Sequence, residues 1–291
     1  MTTYEIEVGL DAFSEILNGS GTPFERWLTY YHQFQEPFDS LFKTLYMMTK
    51  EELEPVIESL SFLELYTEAV CSLEAHSLSE INQLVDRCVK AFVYYSFFRV
   101  FALVGFGHID GAAPPSEIPF IYLGLERIRE ADLTILIPHE FNHMYRFHYV
   151  QKLENVKQLT VQQLVVAEGL ATVTPLVVND LAWTESAILK LLMVSTNHYN
   201  TWKKHFATLV QQIELEWTSP LTPELMKKYF MANDIGYPPS KFGYYYGFQI
   251  VALLLKQGFS LQELTTKGTS EIIFLYQSLT ARKQKGDLYL F

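Results

Sequence analysis

The chain has 291 residues, of which 49% are hydrophobic and 15% aromatic, and its formal net charge is −11 at pH 7. This composition suffices for a substantial core in one large or two smaller domains and argues against long disordered regions. The excess of acidic residues argues against nucleic-acid phosphates as the main binding partner.

The N-terminal third of the sequence is typical of helices. A Ser or Thr followed three residues later by Glu marks the start of many helices, and this spacing occurs at Thr22–Glu25, Thr49–Glu52 and Ser77–Glu80. We therefore predict an N-terminal helical region over residues 1–95.

Cysteine usage and hydropathy indicate the cellular compartment and whether the chain spans a membrane. Cys71 and Cys88 lie in helical-looking sequence without C-x-x-C spacing, which indicates reduced core residues rather than a disulfide. The most apolar stretch, residues 91–106, contains Arg99 and is shorter than the roughly 20 residues that a spanning helix needs. No signal-peptide pattern is visible. We expect a cytoplasmic protein without a membrane span.

Two short strands are predicted next. Val100–Phe106 is continuously apolar, which indicates a buried strand, Gly111–Pro115 indicates a turn, and Ile118–Leu123 indicates a second strand. Because Pro119 cannot donate hydrogen bonds in a ladder on both sides, the second strand should lie at the edge of its sheet.

The pentapeptide His139-Glu140-Phe141-Asn142-His143 carries the chemistry that the sequence predicts. Residues four apart share a helix face, so His139 and His143 can direct two imidazoles at one metal ion. Glu140 lies beside the first ligand, where its carboxylate can reach a metal-bound water as a general base. Zinc with an open position lowers the pKa of such a water to about 7. The alternative is a solvent-facing helix with two incidental histidines.

A catalytic zinc site usually has a third protein ligand. A third histidine in the common spacing would stand at position 149, which holds Tyr149, and the neighbouring His148 points to a different helix face. Glu168 lies in the apolar run 161–171, where a charged residue is rarely buried without a partner or a metal. Glu168 is therefore either the third ligand or one half of a buried salt bridge to Arg146.

The H-E-x-x-H motif followed by Glu168-Gly-Leu-Ala171 resembles the glutamate-type zinc metallopeptidases. The resemblance is closer to the bacterial predicted zinc-dependent proteases of the YjaZ type, and it covers residues 100–260. It implies a Zn²⁺ cofactor held by His139, His143 and Glu168, and a peptide or protein substrate. It also implies that an edge strand beside the metal helix binds extended peptide. The alternative for that strand is a plain structural hairpin.

Two further positions take their meaning from the same resemblance. Tyr244 opens a Tyr-x-x-Gly segment like that of the family, and its hydroxyl could stabilise the oxyanion of peptide hydrolysis. The alternative is that Tyr244, Tyr245 and Tyr246 fill the core and the cleft walls. Thr172 stands where thermolysin-like enzymes carry an Asp that orients a zinc-bound imidazole, so the groups that orient the ligands must differ here.

We therefore predict an α+β protein with a zincin-like fold, mainly α-helical, with a small β-sheet beside the HExxH helix. Residues 96–180 would form the zinc-binding catalytic core, and residues 181–291, with a loop at 236–240, would form a C-terminal helical region completing the cleft. The predicted activity is zinc-dependent hydrolysis of peptide bonds, a metalloprotease reaction with Glu140 as general base. The alternatives are a noncatalytic, metal-stabilised binding or regulatory protein on the same fold, and a helical interaction protein without metal.

Overall fold

A computed structural model describes residues 3–231 and 241–282 of the chain. The protein is mostly helical with one small mixed sheet, which confirms the predicted α+β class. The chain divides into two compact units, Met1–His148 and Tyr149–Phe291, which are described in turn. The three regions expected from the sequence stay a prediction, and the loop expected at 236–240 lies outside the described residues.

Helices make up most of the first unit. They are α1 (Leu10–Glu15), α2 (Pro23–Gln33), α3 (Gln35–Leu41), α4 (Glu54–Glu58), α5 (Phe62–Ala75), α6 (Leu78–Phe92) and α7 (Leu133–Val150), with a π-helical turn at Phe42–Tyr46 and a 3-10 turn at Ile128–Glu130. The predicted caps form at Thr22 and Ser77, whose side chains accept the N–H groups of Glu25 and Glu80. Thr49 accepts the N–H of Glu52 in the same way but opens only a turn.

The sheet of the first unit has four strands in the order β1-β2-β4-β3. Their bounds are β1 (Tyr4–Val8), β2 (Phe98–Leu103), β3 (Gly111–Ala112) and β4 (Phe120–Gly124). The first two pairings are parallel, and β3 pairs antiparallel with β4. Burial explains the apolar runs, because every residue of β4 and all but one of β2 are buried. Strands covered on both faces read as continuous apolar sequence.

The prediction that the strand after Pro119 lies at a sheet edge is wrong. The observed strand, β4, begins one residue after Pro119 and pairs with both β2 and β3. The carbonyl of Pro119 accepts the Arg99 N–H at 3.0 Å, so the missing proline N–H removes no bond from the interior of the ladder. The edge on this side is β3, in the segment predicted to be a turn.

The second unit is helical in its described part. Its helices are α8 (Val161–Val178), α9 (Glu185–Leu192), α10 (Thr196–Leu215), α11 (Pro223–Tyr229), α12 (Phe242–Lys256), α13 (Leu261–Thr266) and α14 (Thr269–Arg282). A capping box starts α8, because the Thr160 side chain accepts the Gln163 N–H and the Gln163 side chain accepts the Thr160 N–H. Helices α8 and α12 pack against each other along much of their length.

Helix α8 has the length and apolar character of a membrane span. Its 18 residues have a mean hydropathy of 1.5, yet 78% of them are buried inside the protein. A buried core helix passes the same test, so this helix is weak evidence for a membrane segment. Residues 91–106 were predicted to be the most apolar stretch, whereas the helix that is long and apolar enough to span a membrane is α8.

Candidate metal centre

Helix α7 positions the H-E-x-x-H motif. The Asp132 carboxylate accepts the Thr134 N–H at 3.0 Å and so caps the start of the helix. The helix then continues through Pro138, which stands directly before the first histidine of the motif. Proline provides no N–H for the carbonyl four residues earlier, so this turn has one fewer internal hydrogen bond.

The two histidines of the motif face each other on α7. The Nε2 atoms of His139 and His143 lie 3.1 Å apart. The ring of His143 stacks on Phe147, with centroids 5.9 Å apart and planes at 9°, which fixes the orientation of that imidazole. Two nitrogens bound to one tetrahedral zinc at 2.0–2.1 Å would lie roughly 3.3 Å apart. The observed separation therefore fits a shared metal ion.

The side chain of Glu140, a residue of α7, packs against β3 in the sheet of the same unit. It is 7% exposed. An added Cβ on Gly111, the first residue of β3, would lie 3.0 Å from Glu140 Cγ and 2.9 Å from Leu136 Cδ1. A side chain at position 111 would require Leu136 and Glu140 to shift, so the edge strand packs directly on the side chain of Glu140. Nothing in the sequence pattern marks Gly111 as part of the site, because this contact depends on packing between distant segments.

Glu168 lies in the middle of α8 and is 8% exposed. Gly169, the next residue, packs against Gly247 of α12, and a Cβ on either glycine would overlap the backbone of the other helix. The two glycines therefore let α8 and α12 approach at backbone distance. They belong to the Glu-Gly-Leu-Ala and Tyr-x-x-Gly segments of the sequence, so one physical contact explains a glycine in each segment.

The start of α12 lies in the electrostatic field of Glu168. Lys241 is the N-cap residue of α12 and has a left-handed backbone, with φ of 57°. Burial lowers the pKa of Lys241, and the negative charge of Glu168 opposes that effect. Nothing in the sequence pattern distinguished this lysine.

The three adjacent tyrosines have different surroundings. Tyr245 and Tyr246 are buried, the first stacked on Trp202 with centroids 5.1 Å apart and the second donating to Glu214 Oε1 at 2.7 Å. Tyr244 is only partly buried, and its ring meets Phe230 edge-on at 6.1 Å. Packing in the core thus accounts for two of the three rings and leaves Tyr244 as the candidate for a chemical role.

The predicted ligands come together. One ligand atom from each of His139, His143 and Glu168 lies within 4.8 Å of the others. Two imidazoles and one carboxylate are a donor set of catalytic zinc sites, which leave a coordination position open. The residues therefore fit the metal that the sequence predicts.

Other polar residues near the motif do not join this group. His148 is partly buried and its ring meets Tyr94 edge-on at 5.9 Å. Asp110, which lies between β2 and β3, forms an ion pair with Arg127 at 2.9 Å. Among the described residues, the ligand cluster contains neither His148 nor Asp110.

Comparison with known proteins identifies a family. Residues 99–274 match the sequence model of the family described as Predicted Zn-dependent protease (DUF2268). The match covers more than half of the chain, from β2 to α14, and includes both motif segments. No curated protein and no solved structure matches the chain. The finer resemblance to the YjaZ type stays a prediction.

Proposed function

Because the chain belongs to the family described as predicted Zn-dependent proteases, we propose that it is a zinc metallopeptidase. The observation that carries this proposal is the cluster of His139, His143 and Glu168, whose ligand atoms lie within 4.8 Å of one another. We also propose a zincin-like fold, because the H-E-x-x-H helix lies beside a small sheet.

The reaction proposed is hydrolysis of a peptide bond. A bound zinc ion would polarise the scissile carbonyl and lower the pKa of a water at its open position. Glu140 would take a proton from the attacking water and deliver it to the leaving amine nitrogen. Its buried carboxylate and its packing against Gly111 restrict the positions it can adopt. Tyr244 would donate a hydrogen bond to the oxyanion that develops in the transition state.

The proposed substrate is a peptide or protein in extended conformation. The edge strand β3, which touches Glu140 through Gly111, is the element along which such a chain could add as a further strand. The sequence suggested the strand at 118–123 as the peptide-binding edge. That strand is β4, which is interior, so we propose β3 as the peptide-binding edge instead. We propose a cytoplasmic location, which the two free cysteines support.

The ligand set can be tested by zinc content. His143→Ala and Glu168→Ala should each reduce the zinc affinity of the purified protein strongly, because each removes one of three protein ligands. His148→Ala is the matched control on the same helix and should retain zinc. Elemental analysis after dialysis against limiting zinc gives the readout.

Two results would overturn this assignment. The first is a wild-type protein that neither contains zinc nor takes it up on reconstitution. The second is a protein that loses zinc through His148→Ala and keeps it through Glu168→Ala.

A further inference from the structure

Glu126 is a buried carboxyl group outside the proposed metal site. It stands two residues after β4 and is 7% exposed. Its Oε2 accepts the N–H of Gly105 and its Oε1 accepts the N–H of Gly107, both at 2.8 Å. Burial raises the pKa of Glu126, and these two hydrogen bonds oppose the rise. One side chain thus holds two backbone amides in the connection between β2 and β3.

The far end of this connection is held by residues next to Glu126. The Gly124 N–H donates to the Asp110 carbonyl at 3.0 Å. Arg127 Nε donates to Asp110 Oδ1 at 2.9 Å. The segment 105–110, called here the β2–β3 connection, is therefore anchored at both ends by the turn that follows β4.

The middle of the β2–β3 connection is anchored by an aromatic side chain. Phe106 is buried between the two amides that Glu126 holds. Four rings surround it at centroid distances between 5.6 and 6.1 Å: Trp27, Phe38, Phe42 and Tyr46. Burial of this ring and the two hydrogen bonds of Glu126 together fix residues 105–107.

The β2–β3 connection leads directly into the strand that touches the proposed general base. Gly111 follows Asp110, begins β3, and packs on Glu140 and Leu136. A shift of the connection would therefore move Gly111 relative to Glu140. We propose that Glu126 is a positioning residue, which fixes the β2–β3 connection and thereby holds β3 against Glu140. This inference rests on the proposed peptidase function.

Glutamine at position 126 tests this role with little change in volume. A carboxylate offers acceptors on both oxygens, whereas an amide offers one acceptor and places a donor where the other oxygen stood. In Glu126→Gln one of the two glycine N–H groups would face an NH₂ group and lose its partner. A buried donor without a partner favours opening of the segment.

The experiment compares Glu126→Gln with Glu130→Gln, a control close by whose side chain is 92% exposed. Hydrogen–deuterium exchange is followed over residues 104–112, with zinc content, kcat and KM for a model peptide. In Glu126→Gln we expect exchange in 104–112 to accelerate about tenfold or more while α5 and α6 keep their rates. We expect kcat to fall about 10- to 100-fold at unchanged zinc content, since a displacement near 1 Å causes losses of this size. Glu130→Gln should match wild type.

Each contrary result has a definite meaning. Unchanged exchange in 104–112 overturns the role of Glu126, as does an equal acceleration throughout residues 3–148, which would show general destabilisation. Local acceleration with full kcat overturns the link to catalysis. If wild type hydrolyses no peptide, the proposed function fails, but exchange in 104–112 still decides whether Glu126 fixes the connection to β3.

Discussion

Glu140 is the residue at which metal binding and catalysis can be separated. Glu140→Gln should keep zinc, because Glu140 is not among the clustered ligands, yet lose hydrolysis by about 10²–10⁴-fold, the usual contribution of general acid–base assistance. The two side chains are nearly equal in volume, so the contact with Gly111 should persist. Zinc content and kcat on one preparation provide the measurement. Undiminished hydrolysis in the variant would remove Glu140 from its proposed role.

Tyr244 can be tested by removing a single hydroxyl. If this hydroxyl meets the oxyanion only in the transition state, Tyr244→Phe should lower kcat and leave KM and zinc content near wild type. Loss of one such donor costs on the order of 10²–10³ in kcat in another hydrolase, and zinc should moderate the effect because it shares the charge. Steady-state kinetics on a model peptide measures both constants.

Tyr246→Phe is the matched control for that experiment. The Tyr246 ring is buried and its hydroxyl donates to the exposed Glu214, so removal of the hydroxyl should lower the free energy of unfolding by about 1 kcal/mol without a selective effect on kcat. A fall in kcat confined to Tyr246→Phe would show that the wrong ring was chosen. Full activity in both variants would mean that the tyrosines contribute only to packing and not to catalysis.

Residues whose roles follow from local spacing were predictable, and those whose roles follow from packing were not. His139 and His143 are related by one helical turn, so their shared face could be predicted from the sequence alone. Glu168 was predicted because a charge in an apolar run needs an explanation. Glu126 gives no such signal, since it precedes charged residues that look like an exposed face. Its importance depends on glycines about twenty positions earlier in the chain.

At the scale of elements, the crossing of α8 and α12 leaves no room for a side chain at Gly169 or Gly247. Alanine in a helix is normally favoured over glycine by about 1 kcal/mol. At Gly169 the added Cβ would overlap the backbone of Gly247, and its distance to Gly247 Cα would be 2.6 Å. Overpacking of this kind costs about 1–3 kcal/mol and backbone cannot move aside as a side chain can. We therefore expect Gly169→Ala to lower the free energy of unfolding, measured by urea denaturation, and to weaken zinc binding through Glu168.

Gly268→Ala is the control for that prediction. A Cβ at Gly268 would meet nothing within 4 Å, so this variant should stay within about 1 kcal/mol of wild type. If Gly169→Ala is as stable as Gly268→Ala, α8 and α12 do not cross at backbone contact.

Helices were easier to predict than the order of strands for a physical reason. Capping hydrogen bonds join residues three apart, so the caps at Thr22 and Ser77 could be predicted from short sequence patterns. Strand order depends on pairing between distant segments. Pro119 suggested an edge, but it lies just outside β4, where its missing N–H removes no ladder bond. Strand β1 was missed although Tyr4–Val8 alternates between apolar and acidic residues, since five residues give only a weak pattern.

At the scale of the whole molecule, the pH dependence of stability should carry a contribution from Glu126. Its pKa in the folded protein is raised above the ordinary value of 4.5 by burial, against the opposing N–H groups of Gly105 and Gly107. The folded state therefore binds this proton more tightly than the unfolded state. The resulting stability is fully present below the unfolded pKa and is lost as pH rises through the folded pKa.

Glu126→Gln isolates that contribution from the other carboxylates. Burial alone would raise the pKa of Glu216, but the hydrogen bonds donated by Lys228 and Tyr229 lower it overall, so the contribution of Glu216 is lost as pH falls, with the opposite sign. Both proteins contain Glu216, so its contribution cancels in their difference. The free energy of unfolding of wild type minus that of Glu126→Gln should decrease as pH rises from about 4.5 and level off above the folded pKa of Glu126. Urea denaturation of the two proteins across this pH range measures the difference. A difference that is constant with pH would mean that Glu126 has the same pKa in the folded and unfolded protein, and one that increases would mean that its folded pKa is lowered.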